Sequence, residues 1–169
     1  MSAKVETFVQ IKDPRWETAL SEVESLCQKA ADAAWRAMLG HEDEFEATIV
    51  LADDDFVAQL NHDYRHQDKP TNVLSFPTDE ASRVLPEGVV ETPSLGDIVI
   101  AFETTLGEAP DDFSNHLSHL VVHGCLHLLG LNHDADDEAV KMESLEIQIL
   151  AELGIADPYL EITNDESAK

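Results

Sequence analysis

Histidines are concentrated in one short part of the sequence, and their spacing is typical of a metal site. Five of the eight histidines fall between His116 and His133. His123 and His127 are four residues apart, so on a helix both imidazoles lie on one face, separated by a rise of about 6 Å. Gly130 predicts the end of that helix, because glycine adopts the left-handed conformation that ends helices, and the chain can then bring His133 to the same point. Three neutral imidazoles with an open fourth position indicate a catalytic zinc site rather than a structural one.

The histidine cluster has two other interpretations. A lone histidine on a buried helix would more often be a core residue, but three at this spacing, followed by a glycine, favour metal ligands. The spacing of His123, His127 and His133 also matches the metzincin peptidases, in which a glutamate general base directly follows the first histidine. Gly124 stands at that position here, so the likeness concerns the ligands and not the peptidase reaction. His119, one helical turn earlier, could lie behind the metal ligands, but it is expected, like His116, to be a core histidine with its hydrogen bonds satisfied.

The composition indicates one domain without a membrane span. A chain of 169 residues with 43% hydrophobic residues can bury a sizeable core. No apolar run approaches the roughly 20 residues needed to cross a bilayer, and the N-terminus has no signal-peptide pattern. The two cysteines, Cys27 and Cys125, are expected to be reduced core residues. We therefore expect a single domain over residues 1–154, a polar tail over residues 155–169 and a cytoplasmic location.

The chain is strongly acidic, with a formal net charge of −25 from 35 acidic and 10 basic residues. Nucleic-acid affinity depends largely on lysine and arginine side chains that neutralise phosphates. A chain with this charge should bind free RNA weakly unless its basic residues are concentrated in one place. The simplest explanation of the acidity is a solvated surface.

Apolar periodicity predicts four strands and four helices. The predicted strands are Val5–Ile11, Phe45–Leu51, Thr71–Phe76 and Asp97–Phe102. The predicted helices are one long helix from Pro14 to Gly40 with its apolar face running from Trp16 to Met38, a short helix from Asp53 to Tyr64, the histidine helix opened by Pro110, and a last helix with Val140, Leu145, Ile149 and Leu153 as its core face. Residues 78–95 are expected to form a loop. The early strand–helix–strand order favours a parallel pair, so the fold class is α/β (or α+β) with a mixed, mostly four-stranded sheet.

A second group of residues forms the densest basic patch in the sequence. Arg65 and Lys69 are four residues apart and lie beside His62 and His66. Arginine suits phosphate because its planar guanidinium presents several donors at once. The patch is therefore a candidate phosphate site, and the alternative is that Arg65 pairs with a neighbouring aspartate.

Three blocks of sequence resemble, in the same order, the YbeY family of bacterial metal-dependent endoribonucleases. The blocks are Tyr64–Arg65 with Asp68–Pro77, then Leu95–Ile98, and then His119 to His133. The resemblance implies an α/β fold around one metal ion, usually zinc, with His123, His127 and His133 as its ligands. It also implies that Arg65 is the functionally important arginine of the family. Asn132 stands where an aspartate is common, which removes a carboxylate beside the last ligand.

The resemblance also implies a function. The family acts in the cytoplasm on ribosomal RNA, in maturation of the 3′ end of 16S rRNA and in ribosome quality control. The expected reaction is metal-activated cleavage of a phosphodiester bond in single-stranded RNA, with His123 and Arg65 as catalytic residues. Because the chain is so acidic, part of its affinity is expected to come from basic small-subunit ribosomal proteins, so that the RNA is recognised within a ribosomal particle. The alternatives are a metallopeptidase with metzincin-like spacing and a non-catalytic ribosome assembly factor with a structural metal.

Overall fold

The fold is built from alternating strands and helices. The computed structural model of the chain describes residues 4–40, 44–65, 71–78, 94–131 and 135–159, and of residues 4 and 65 only the backbone. The strands within these ranges are β1 (Lys4–Ile11), β2 (Glu44–Ala52), β3 (Val73–Pro77) and β4 (Ser94–Ala101). The helices are α1 (Arg15–Ala19), α2 (Val23–Met38), α3 (Asp54–Arg65), α4 (Phe102–Glu108), α5 (Phe113–Leu128) and α6 (Asp136–Glu152). None of these helices is long and apolar enough to span a membrane.

The four strands form one mixed sheet in the order β1-β2-β4-β3. β1 and β2 are parallel, as are β2 and β4, whereas β3 is antiparallel to β4. The parallel pair β1–β2 is joined through α2, because parallel neighbours need a crossover connection. The predicted α/β fold, its mixed four-stranded sheet and its early parallel pair are confirmed.

Each of the two central strands contributes side chains to both faces of the sheet, as the alternation along a strand requires. Ile49 and Leu51 of β2, with Ile98 and Ile100 of β4, belong to the larger core, which also contains buried apolar residues of α2, α5 and α6. The residues between them face a smaller core, which contains Val57 of α3. In the larger core, α5 therefore packs both against the sheet and against α6.

Helix α5 lies unusually close to β4. A Cβ atom placed on Gly124 would be 2.8 Å from the Cγ2 atom of Ile98. On the same side, the hydroxyl of Ser75 donates a hydrogen bond to the carbonyl of Gly124, with 3.4 Å between the oxygens. The absence of a side chain at residue 124 thus sets the distance between α5 and the sheet. It thereby also sets the position of His123 and His127 on the same helix.

The long helix predicted from Pro14 to Gly40 is wrong in one respect, because it is broken into α1 and α2. Leu20 has extended backbone angles, with φ −134° and ψ 104°. Trp16 is fully buried, and its indole N–H donates to the carbonyl of Ala52 over 2.9 Å. That contact holds α1 at the end of β2, while α2 packs along the sheet. Neither a glycine nor a proline marks the break, and the apolar pattern continues through it. The sequence pattern therefore did not predict the break.

The predicted end of the fourth strand is also wrong, because Phe102 begins helix α4 instead. The ring of Phe102 packs edge-on against Trp16, with 5.1 Å between the ring centroids. The carboxylate of Asp54 accepts hydrogen bonds from the backbone N–H of Thr104 at 2.9 Å and from its hydroxyl at 2.8 Å. These tertiary contacts start α4, and the local sequence pattern does not contain them. The predicted loop over residues 78–95 lies mostly outside the described residues, and its last two residues belong to β4.

Candidate metal centre

Helix α5 places His119, His123 and His127 about one turn apart on the same face. The rings of His123 and His127 are nearly perpendicular, at 81°, with centroids 4.5 Å apart. Their Nε2 atoms are separated by only 3.0 Å. The i, i+4 spacing therefore brings the tips of both imidazoles to a common point, as predicted from the sequence.

Helix α6 supplies a carboxylate to this face of α5. Glu146 is fully buried, and its Oε2 atom lies 2.5 Å from Nδ1 of His123. Its Oε1 atom lies 2.9 Å from Nε2 of His119 and accepts a short hydrogen bond from the hydroxyl of Tyr159. Burial by itself would raise the pKa of Glu146, but the hydrogen bonds from its three partners outweigh burial and lower the pKa to about 2. Glu146 is therefore an ionised carboxylate that only accepts hydrogen bonds.

The partners of the two Nδ1 atoms determine where the ring protons lie. Because the carboxylate of Glu146 only accepts, Nδ1 of His123 carries a hydrogen. Nδ1 of His127 lies 2.8 Å from the carbonyl oxygen of Leu131, which also only accepts, so it too carries a hydrogen. In the neutral imidazole the other nitrogen then presents its lone pair. When both imidazoles are neutral, both Nε2 lone pairs are therefore directed at one point.

This arrangement fits a metal ion. Two lone pairs 3.0 Å apart repel each other unless a positive charge lies between them, either a metal ion or the proton of an imidazolium. In a tetrahedral zinc site with Zn–N bonds of about 2.0–2.1 Å, two ligand nitrogens are about 3.3 Å apart. The His123–His127 pair would therefore accept zinc after opening by about 0.3 Å, which is a small rotation of two rings.

The helix end next to the pair has the predicted form. Gly130 has a φ of +98°, in the left-handed region. Its N–H donates to the carbonyl of His127 at 3.0 Å, and the N–H of Leu131 donates to the carbonyl of Leu126 at 3.1 Å. This turn satisfies the last carbonyls of α5 and places the carbonyl of Leu131 beside His127.

Two of the four predicted site residues lie at least partly outside the described structure. His133 falls in the gap 132–134, and the described residues contain no group of three histidines, cysteines or carboxylates that could hold a metal. Arg65 is the last residue of α3, and its side chain is not described. The metal-ligand role of His133 and the catalytic role of Arg65 stay predictions, as do the ligand roles of His123 and His127. Of the basic patch, His62 is described and exposed, whereas Lys69 lies outside the described ranges.

Sequence reasoning missed Glu146 and Tyr159. The predicted core face of α6 included Val140, which is instead 66% exposed, whereas Met142 and Glu146 are buried one turn apart. A glutamate in step with buried apolar residues was the signal that could have identified Glu146. Tyr159 lies in the segment predicted to be a polar tail. Its hydroxyl donates to Glu146, a contact that no local sequence pattern indicates. His119 has a hydrogen-bond partner, as expected, but that partner is the carboxylate that also binds His123.

The chain is similar to known proteins along most of its length. A profile of the family described as endoribonuclease YbeY matches residues 9–154. The protein named endoribonuclease YbeY from Paramagnetospirillum magneticum is 46% identical over 164 residues, which span 94% of this chain and 98% of that protein. The protein of the same name from Azorhizobium caulinodans is 49% identical over 160 residues, spanning 92% and 96%. A Thermotoga maritima protein of known solution structure is 22% identical, with a TM-score of 0.46 over 91% of this chain and 97% of that one. The profile match includes all of α5 and α6, and this chain belongs to the YbeY family of endoribonucleases.

Proposed function

We propose that this protein is a zinc-dependent endoribonuclease whose metal is held by His123, His127 and His133. The observation that carries the proposal is the pair of Nε2 atoms 3.0 Å apart, each with its Nδ1 hydrogen directed to an acceptor. The two relatives named endoribonuclease YbeY and the family profile supply the reaction class.

Each residue of the proposed site has a separate role in the reaction. His123 and His127 hold the metal, and the acceptors behind them keep both rings in the orientation that binding needs. The chemistry supplied by zinc in such a site is polarisation of the phosphodiester and activation of water. Arg65 steadies the negative charge that develops on the phosphate, a contact whose loss typically raises the barrier by about 2.7–4 kcal/mol.

The substrate we propose is ribosomal RNA within a ribosomal particle, at the stage of 16S rRNA 3′-end maturation and quality control in the cytoplasm. A net charge of −25 repels free RNA, because RNA affinity grows with the number of phosphates that basic side chains neutralise. Basic small-subunit ribosomal proteins would attract the same acidic surface and raise the local concentration of the enzyme. We therefore expect cleavage of particle-bound precursor to exceed cleavage of the same RNA when free.

The surroundings of Gly124 count against the metallopeptidase alternative. The metzincin general base would follow the first histidine, and that position faces Ile98 in the sheet, with 2.8 Å between a Cβ atom placed there and the Cγ2 atom of Ile98. A glutamate there has no room, and its carboxylate would be directed into the core. The observation that favours a non-catalytic assembly factor is the net charge, since an acidic surface can bind basic proteins without cleaving RNA.

The proposed function is tested by measuring metal content and RNA cleavage together. We expect about one zinc per chain by mass spectrometry, and its loss in the double variant His123→Ala/His127→Ala. His116→Ala is the matched control, because His116 lies on the same helix and pairs with Glu108 at 2.8 Å instead of with the metal-facing pair. Cleavage of precursor 16S rRNA in particles should be lost in the double variant and kept in the control.

The role of Arg65 needs a separate comparison. Arg65→Ala should retain zinc and lower the cleavage rate about 100- to 1000-fold, whereas Arg36→Ala, an exposed arginine on α2, should cleave like the wild type. Undiminished cleavage by the metal-free double variant would exclude the metalloenzyme. Metal-dependent binding to particles without any cleavage would identify an assembly factor, and cleavage of a peptide substrate that survives Arg65→Ala would identify a peptidase.

A further inference from the structure

Glu146 is the most deeply buried charged side chain near the candidate metal centre. It lies in the middle of α6 and is 0% exposed, whereas Glu143, one turn earlier, is exposed. A buried carboxylate is costly unless it is fully hydrogen-bonded. A well-packed apolar residue would stabilise the α5–α6 contact at least as well. The stability of the α5–α6 contact therefore does not account for the charge.

The hydrogen bonds of Glu146 connect it to His123, His119 and Tyr159. One oxygen lies 2.5 Å from Nδ1 of His123. The other oxygen accepts from Nε2 of His119 at 2.9 Å and from the hydroxyl of Tyr159. The two partners on the second oxygen fix the plane of the carboxylate, and the first oxygen then fixes the ring of His123. A carboxylate behind a metal-binding histidine sets the ring orientation and makes the other nitrogen a stronger ligand.

Tyr159 connects this carboxylate to the chain after α6. The backbone N–H of Tyr159 donates to the carboxylate of Asp157 at 2.8 Å, a local turn that holds the residue in place. Its ring packs edge-on against His119, with 5.6 Å between the centroids. The phenol is thus held on two sides before its hydroxyl reaches Glu146.

We propose that Glu146 is the positioning residue of the metal centre, which fixes the tautomer and ring orientation of His123, and that Tyr159 holds Glu146 in the required plane. This inference rests on the proposed function in one respect, namely that His123 is a metal ligand. Neither residue touches the metal or the RNA. Both act through His123, and their effect is on metal affinity.

The test measures zinc affinity by competition with a chromophoric chelator, without any RNA. Glu146→Gln should bind zinc about 10- to 100-fold more weakly than the wild type. Tyr159→Phe leaves the carboxylate two of its three donors and should bind zinc more weakly by a smaller factor. Glu143→Gln is the matched control, since it removes the same charge from the same helix at an exposed position, and it should match the wild type.

A second readout follows the proton directly. Long-range proton–nitrogen NMR of the zinc-free protein at pH 8 should show His123 as the Nδ1–H tautomer in the wild type and in Glu143→Gln. Glu146→Gln should give a mixture of tautomers. Circular dichroism establishes that each variant is folded, and Tyr159→Phe, which removes one oxygen atom, tests the same network if Glu146→Gln does not fold.

The outcomes separate this inference from the proposed function. Folded Glu146→Gln and Tyr159→Phe proteins that bind zinc as tightly as Glu143→Gln would overturn the positioning role and leave the endoribonuclease intact. Conversely, the expected loss of affinity in a protein that never cleaves RNA would support the positioning role and overturn the proposed reaction. A wild-type protein that binds no zinc would overturn both.

Discussion

The close contact between α5 and β4 predicts that Gly124→Ala changes the free energy of unfolding in opposite directions with and without the side chain of Ile98. An alanine Cβ at residue 124 would lie 2.8, 3.1 and 3.2 Å from the Cγ2, Cδ1 and Cγ1 atoms of Ile98. Carbon atoms pack best at about 3.5–4.0 Å. Gly124→Ala therefore forces α5 away from the sheet or Ile98 out of its rotamer, and such overpacking costs about 1–3 kcal/mol. Alanine also gains about 0.8–1.0 kcal/mol over glycine inside a helix, so the net loss of unfolding free energy should be about 0–2 kcal/mol.

The same substitution should be stabilising when Ile98 is first replaced by alanine. Ile98→Ala removes all three contacting atoms and by itself costs about 2–5 kcal/mol. In that background Gly124→Ala keeps only its helix-forming advantage and should raise the unfolding free energy by about 0.8–1.0 kcal/mol. The coupling between the two sites is then about 1–3 kcal/mol, within the range of residues in direct contact.

Urea unfolding of the four proteins without zinc measures this coupling, since bound metal would add its own stabilisation. Gly107→Ala on α4 is the control, because a Cβ there meets no atom within 4 Å. It should change stability equally in both backgrounds. Equal effects of Gly124→Ala in the presence and absence of Ile98 would refute the importance of this contact and leave the helix–sheet separation unexplained.

Three further predictions concern groups that take no part in the candidate metal centre. The Arg15 guanidinium donates hydrogen bonds to Asp13 and lowers the pKa of that carboxyl below its usual 3.8. The ionised carboxylate therefore stabilises the fold above pH 3.8, and this contribution is lost as the pH falls through the lowered pKa. Asp13→Asn should lower the free energy of unfolding by about 1 kcal/mol at pH 7 and by less at pH 3, as measured by urea titration. Trp16→Phe removes the indole N–H that donates to a buried backbone carbonyl at 2.9 Å and should lower the unfolding free energy by about 1–3 kcal/mol, so a midpoint equal to that of the wild type would contradict the bond's importance. Burial raises the pKa of Cys27 to about 12 and that of Cys125 well above its usual value, so an aromatic disulfide reagent at pH 8 should titrate neither thiol before urea unfolds the protein; rapid colour release from the native protein would contradict their burial.

Local patterns were sufficient for much of the fold. The alternation of Val5 to Ile11 predicted β1, which begins one residue earlier, at Lys4. The spacing of His123 and His127 predicted their convergence because both lie on one helix, where i, i+4 neighbours share a face whatever the rest of the chain does. Gly130 predicted the end of α5 for the same reason, since its left-handed conformation is a local preference.

Contacts between distant segments account for what the sequence did not predict. Leu20 has a high helix propensity, so the break between α1 and α2 is a tertiary effect, and it coincides with the packing of Trp16 against Phe102 and Phe113. Glu146 is in step with the buried apolar residues of α6, but its hydrogen-bond partners are set only when α6 is placed against α5. Tyr159 likewise belongs to a polar segment until Glu146 is buried beside it. Periodicity reports which face of a helix is apolar, but not which neighbour will cover it.

The order of the metal centre along the chain has a consequence for synthesis on the ribosome. The two facing histidines lie on α5, whereas the groups that orient His123 come from α6 and from Tyr159, which follows His127 by 32 residues. At about 5–20 residues per second, a nascent chain carries the histidine helix for about 2–6 s before that tyrosine is made. During this interval the imidazoles are free to rotate and to change tautomer. We therefore expect selective metal capture by the proposed site to be a late event, coupled to the docking of α6 on α5.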